Sequence, residues 1–182
     1  MEVRQTELPG VLVVEPRVFR DDRGAFLESW HAERYAEAGI PGPFVQDNVS
    51  WSRRGVLRGL HFQEAPHAQG KLVTCLAGRV WDVAVDLRPD SPHFRRWVGV
   101  ELDAAAPRQL WIPPGFGHGF VVLSDEALFA YKCTEVYVPE ADGGVRWDDP
   151  ELAIAWPVAE PVLSPKDAAL PTVAEWLAAR PG

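Results

Sequence analysis

Helix breakers set the rhythm of this sequence: 17 prolines and 15 glycines are spread through 182 residues and cut its apolar stretches into short runs of alternating character. Many short strands between turns are the signature of a sandwich or barrel. The strand candidates are Gly10 to Pro16, Lys71 to Ala77, Arg79 to Leu87, Arg96 to Glu101, Arg108 to Ile112, Gly119 to Leu123 and Leu128 to Val138. In the run Arg79 to Leu87, Val80, Asp82, Ala84 and Asp86 share one face, while Trp81, Val83, Val85 and Leu87 make the other wholly apolar. The polar face must meet solvent, a pocket or a cation, which suits a barrel whose interior is partly a binding cavity. Helical signals are few. A short helix is expected over about His31 to Ala38, with Gly39 at its C-terminal cap. Thr172-Val-Ala-Glu175 is a capping-box pattern that opens a helix through Trp176 and Leu177. The length suits one domain over residues 1–182.

What the chain binds is narrowed by charge. A net charge of −8 argues against nucleic acid as the main partner, although a few arginines gathered in one pocket still suit an anionic ligand. No stretch approaches the roughly 20 apolar residues of a membrane span. The N-terminus, with Glu2 and no long apolar run, is not a secretory signal, so the cytoplasm is the expected location. Cys75 and Cys133 both lie in apolar runs and read as buried small hydrophobes, not as a disulfide.

Polar residues of catalytic type fall in three clusters: Gly55-Val-Leu-Arg-Gly-Leu-His-Phe-Gln63 with Lys71 beyond it, Trp111-Ile-Pro-Pro-Gly-Phe-Gly-His-Gly-Phe120, and Tyr131-Lys-Cys-Thr-Glu-Val-Tyr137, which alternates as a strand does. Buried polar groups cost stability, and three such clusters point to one pocket built from several strands. The pairing of Gly55-x5-His61-x-Gln63 with Pro113-x-Gly115-x-x-His118 resembles the two motifs of the cupin superfamily, which implies a mostly β, jelly-roll (double-stranded β-helix) barrel. Metal-binding cupins carry His-x-His and a nearby Glu in the first motif. Here Gln63 replaces the second histidine and His67 and Ala68 stand where the Glu would be, so no metal site and no cofactor are expected.

Nine strings in order extend the resemblance to nearly the whole chain: Asp22 to Glu28, Gln46 to Ser50, Gly55 to Gln63, Gly70 to Val73, Asp82 to Arg88, Gln109 to Phe120, Tyr131 to Thr134, Arg146 to Pro150 and Ser164 to Ala168. Together they resemble the dTDP-4-dehydrorhamnose 3,5-epimerases and related deoxysugar epimerases. The resemblance implies a metal-independent isomerase that takes a dTDP-4-keto-6-deoxy sugar and inverts C3 and C5 beside the ketone. A relative that inverts only one of these carbons, and a cupin that merely binds a sugar nucleotide, are the alternatives.

That chemistry needs a base, a cation for the enolate oxygen and a proton donor on the far face. The resemblance gives the roles to His61, Lys71 and Tyr131, with Asp167 holding the His61 ring. Asp167 also sits three residues after Ser164, where a helix cap would serve as well. Arg23 and Arg58 suit a diphosphate, for which a guanidinium offers paired donors. Gln46, Asn48 and Glu28 are assigned polar ligand contacts, Tyr137 stacking on thymine, and His118, Lys166 and Asp142 places in the sugar-nucleotide site; Asp142 stands where the family often has Glu. In the family, N-terminal strands cross to a neighbouring subunit, so a homodimer is implied, with Arg23 and Glu28 completing the partner's site.

Overall fold

The computed structural model describes residues 1–180. In chain order the strands are β1 (Glu2–Gln5), β2 (Leu12–Glu15), β3 (Val18–Asp21), β4 (Gly24–Leu27), β5 (Gln46–Arg53), β6 (Leu57–Gln63), β7 (Lys71–Ala77), β8 (Arg79–Asp86), β9 (Trp97–Asp103), β10 (Gln109–Ile112), β11 (Phe116–Val122), β12 (Glu126–Cys133) and β13 (Asp142–Gly144). The helices are α1 (Ala32–Glu37), α2 (Pro165–Ala168) and α3 (Val173–Ala178). Six strands form one sheet in the order β1-β2-β10-β7-β12-β5, and five form a second in the order β13-β6-β11-β8-β9. β3 and β4 make a separate hairpin. The two large sheets face each other as an antiparallel jelly roll, not closed into a continuous barrel.

The space between the sheets is filled by inward residues of both, among them Val73, Leu110 and Phe129 from the first and Val80, Phe116 and Phe120 from the second. Phe120 and Phe129 stack across the gap with centroids 4.2 Å apart. The polar face of β8 is the inward one. Asp82 and Asp86 are both fully buried, the first bonded to His118 and the second to Arg88 and Ser91. Its apolar face, with Val83, Val85 and Leu87 beyond the strand, lies under the C-terminal segment that contributes Val145, Leu152 and Val173. A third cluster, Leu12, Leu72, Trp111, Tyr35 and Ile40, seats α1 and the turn after it on the outer face of the six-stranded sheet.

The expected helices are present. His31 is the N-cap of α1 and Gly39 follows it at φ +85°, while Thr172 and Glu175 exchange both capping-box bonds at the start of α3. Two strands differ from expectation: β11 already begins at Phe116, three residues before Gly119, and β12 stops well short of Val138. The run Leu128 to Val138 ends at Cys133, because Cys133 pairs with Gln46, the first residue of β5, and with Lys71, the first residue of β7. Both ladders run out together, so Tyr137 lies on a loop. Sequence reading also passed over the short strands β1, β3, β4 and β13, as well as β5, whose inward residues Gln46, Asn48, Ser50 and Ser52 are all polar, and β6, whose alternation is interrupted at Gly59. Cys75 and Cys133 are free and buried. No helix of the described residues is long and apolar enough to cross a membrane.

Candidate active site

The placement of His61 begins with a glycine. β6 pairs with β11 so that His61 is opposite His118 and Arg58 is opposite Phe120, leaving Gly59 and Leu60 to face Gly119 alone. One extra residue of this kind is a β-bulge, and it brings Arg58 and His61, an odd number of residues apart, onto the same side of the strand. Only glycine fits the bulge. Gly59 has φ +123°, and a Cβ there would lie 2.5 Å from the Gly119 Cα and 2.6 Å from the His118 carbonyl oxygen.

His61 Nε2 is 2.5 Å from Asp167 Oδ1. An ionised carboxylate only accepts, so Nε2 carries the proton and Nδ1 keeps the lone pair, which makes Nδ1 the basic atom. Asp167 is 4% exposed and is held on α2, where its Oδ2 accepts from the Ser164 hydroxyl at 2.8 Å. The Ser164 oxygen in turn caps the helix by accepting from the Asp167 backbone N–H at 3.0 Å. Asp167 is therefore both the third residue of a capped helix and the partner of the histidine. Burial would raise its carboxyl, but hydrogen bonds from His61 and Ser164 outweigh burial and hold it below the usual range.

Beneath this pair lies a second histidine and carboxylate. His118 is 6% exposed, its Nε2 is 2.9 Å from Asp82 Oδ2, and its ring stacks on Phe129. Burial lowers its pKa, against the pull of Asp82, and so favours the neutral imidazole.

The opposing sheet supplies a cation and a phenol. Lys71, 8% exposed on β7, reaches across the gap to donate to the His61 carbonyl oxygen at 3.4 Å. Burial lowers its pKa, countered in part by Cys133, Asp82 and Asp142. Tyr131, on β12, has its phenol pushed up by burial, with Cys133 adding to the shift and Arg58 opposing it. His61, Lys71 and Tyr131 line one cavity of ≈ 270 Å³. A base on one wall faces a protonated phenol and a buried cation on the other. Such a site can take a proton from carbon, hold the resulting negative oxygen and return a proton to the opposite face.

Gln46, Asn48, Tyr137, Asp142 and Lys166 line the same cavity. At its mouth the Tyr137 hydroxyl donates to Asp142 Oδ2 at 3.1 Å, and the Lys166 ammonium pairs with the same carboxylate. The bond to Asp142 raises the Tyr137 pKa, and that same carboxylate raises the pKa of Lys166. Arg58 is outside the lining, with its Nε on Ser52 Oγ at 3.1 Å. His118 also stays behind the cavity, one layer deeper. Two expected residues are elsewhere in the chain. Arg23 sits at the tip of the β3–β4 hairpin, 90% exposed and paired with Asp21, and Glu28 pairs with Arg34. Sequence reasoning left Asp82 out of the site, although its place on the polar face of a strand was the signal. Among the described residues no three His, Cys, Asp or Glu side chains gather to hold a metal.

Comparison with known proteins points the same way as this geometry. The family model for dTDP-4-dehydrorhamnose 3,5-epimerase matches residues 5–175. The dTDP-4-dehydrorhamnose 3,5-epimerase of Shigella flexneri is 55% identical over 168 residues, covering 92% of this chain and 93% of its own. The crystal structure of a dTDP-6-deoxy-D-glucose-3,5-epimerase from Legionella pneumophila, in complex with dTDP-4-keto-L-rhamnose, superposes with a TM-score of 0.92 at 51% identity, covering 95% of this chain and 93% of that one. A 4-keto-6-deoxy sugar epimerase from the novobiocin gene cluster of Streptomyces spheroides superposes with a TM-score of 0.95 at 44% identity, covering 98% and 90%.

Proposed function

Because the chain belongs to the dTDP-4-dehydrorhamnose 3,5-epimerase family, with its cupin-type jelly roll, we propose that His61 and Tyr131 exchange the protons by which it epimerises dTDP-4-dehydro-6-deoxy-D-glucose at C3 and C5. The enzyme is a sugar-nucleotide epimerase, and its product is dTDP-4-dehydro-L-rhamnose. The observation that carries the residue assignment is the mounting of His61 and Tyr131 on opposite sheets of one cavity.

His61 Nδ1 takes the proton from the carbon beside the ketone, and Asp167 steadies the imidazolium that forms. The electrons move onto the ketone oxygen. Lys71 meets that charge in a dry setting, where a fixed cation acts more strongly than in water. Tyr131 then donates its phenolic proton to the other face of the carbon, and the product differs from the substrate only in configuration. His61 then releases its proton to solvent and the Tyr131 phenolate takes one back, and the reset groups repeat the cycle at the second carbon, since both carbons flank one ketone. His118 and Asp82 back the cavity from one layer deeper and support the wall that carries His61.

The nucleotide lies toward the mouth. Tyr137 receives the base, Gln46, Asn48, Asp142 and Lys166 make polar contacts, and Arg58 takes the diphosphate; among the described residues only its Nε is engaged. Arg23 and Glu28 act in a neighbouring subunit's site. Two observations support a homodimer: the hairpin exposes Phe19 at 50% and Phe26 at 69%, and the outer face of the six-stranded sheet exposes Val49, Trp51 and Leu76. The enzyme works in the cytoplasm, a reducing compartment that suits its two free cysteines.

Proton NMR of the reaction in D2O tests this reading. Wild-type enzyme should place deuterium at both C3 and C5 and invert both. Inversion at a single carbon would make it a mono-epimerase, and no exchange at either would leave only a binding protein.

A further inference from the structure

We infer that Gln63 is a positioning residue for the nucleotide end of the site, acting through Tyr137; this rests on the reading that Tyr137 receives the base of dTDP. Because β12 ends at Cys133, Tyr137 sits on a stretch of chain with no ladder beside it. Three glutamine side chains hold it instead. Gln63, 4% exposed, donates from Nε2 to the Val136 carbonyl at 3.0 Å and accepts the Val138 N–H on Oε1 at 2.7 Å. Its Nε2 also donates to the His67 carbonyl at 2.7 Å, tying a second loop to the first. The Gln69 amide donates to the Glu135 carbonyl at 2.7 Å, and Gln46 Oε1 accepts the Tyr137 N–H at 2.8 Å. Each residue from Glu135 to Val138 thus has one backbone group on a glutamine amide.

Gln63 is the centre of this arrangement because a primary amide carries two donors and an acceptor on one rigid plane. It serves both sides of Tyr137 at once, as two rungs of a sheet would. Neither a carboxylate, which only accepts, nor a lysine, which only donates, can do the same. Tyr137 is 52% exposed and Val136 46%, so beyond the Tyr137 hydroxyl's bond to Asp142 side-chain contacts contribute little to fixing this loop. The backbone ties set where the base of the ring stands. When they are lost, the loop must be ordered by the ligand, and that entropy is charged against binding. Gln63 and Gln69 themselves border the cavity, but His61, Lys71, Tyr131 and Asp167 receive none of these bonds, so the chemical step is spared.

A double-mutant cycle tests the inference, with Gln63→Leu, Tyr137→Ala and the pair read by calorimetric titration with dTDP and by turnover of the dTDP-4-keto sugar. Gln63→Leu should weaken dTDP binding and raise KM ~10-fold while kcat stays within ~3-fold of wild type. In the Tyr137→Ala background it should change affinity by less than ~2-fold, since the group through which it acts is gone. A general structural role would instead lower kcat, or weaken binding equally in both backgrounds, and either result overturns the inference. Undiminished dTDP affinity in Gln63→Leu overturns it too. Should Gln63→Leu fail to fold, Gln69→Ala at the rim takes its place in the same cycle with the same opposed outcomes. Wild-type protein without affinity for dTDP would sink the functional reading itself, a result separate from failure of the cycle.

Discussion

The roles proposed for His61 and Tyr131 are separable, and single substitutions should divide them. Tyr131→Phe keeps the base and the Lys71 cation, so a proton can leave and return on the His61 side. Deuterium should enter the sugar without inversion, followed by NMR as label and configuration together. Inversion at the wild-type rate would remove Tyr131 from the role of acid. His61→Asn should abolish exchange at both carbons, a loss of ~10²–10⁴-fold in rate, with dTDP affinity intact. The pH profile adds an independent check. Lys71 and Tyr131 start from ordinary values of 10.5 and 10.0 and are moved by burial in opposite directions, the lysine down and the phenol up. Loss of the Lys71 proton should therefore make kcat fall on the alkaline side through a pKa below 10.5. In Lys71→Arg, where the guanidinium stays charged, the residual activity should keep its plateau to higher pH. An unmoved limb would assign the loss to another group.

At the level of the strand, the bulge in β6 carries the site. Gly59→Ala places a methyl into the backbone of β11 at a φ that L-residues avoid, and should destabilise the protein by about 2–4 kcal/mol in urea unfolding, with activity falling because Arg58 and His61 lose their common face. A variant of wild-type stability would mean that the strands separate easily there. This element also marks where the sequence was readable. β7, β8 and β10 were expected nearly to the residue, because each is a short apolar-rich run with one face packed on other apolar residues. β5 was not expected. Its inward face is polar because it lines the cavity at one end, so the pattern that betrays a strand is absent where function replaces packing. The residues proposed as catalytic were named through the family resemblance, and the pairing of His61 with Asp167 was expected, yet the tie between Gln63 and the Tyr137 loop was not. Side-chain bonds to backbone leave no periodic trace in the sequence. The same holds for the end of β12, which depends on where its two neighbours begin.

For the molecule as a whole, the distance of Arg23 and Glu28 from the His61 cavity matters most. If a second chain supplies them, two damaged proteins should repair each other. Arg23→Ala and His61→Asn subunits, unfolded together and refolded as mixed dimers, should regain roughly a quarter of wild-type activity, since half the dimers are mixed and each has one intact site. No recovery would confine each site to its own chain. Within one chain, the two sheets are kept apart by the aromatic stack of Phe120 on Phe129, directly under His118 and Tyr131. Those rings lie outside the cavity lining, yet they work as a shim: their thickness sets the span between the two walls that carry His61 and Tyr131. On the proposed mechanism, stereochemical fidelity is thereby a mechanical property of the core. A thinner shim would let the walls close on the substrate, and the enzyme's errors would show as a carbon exchanged but not turned over.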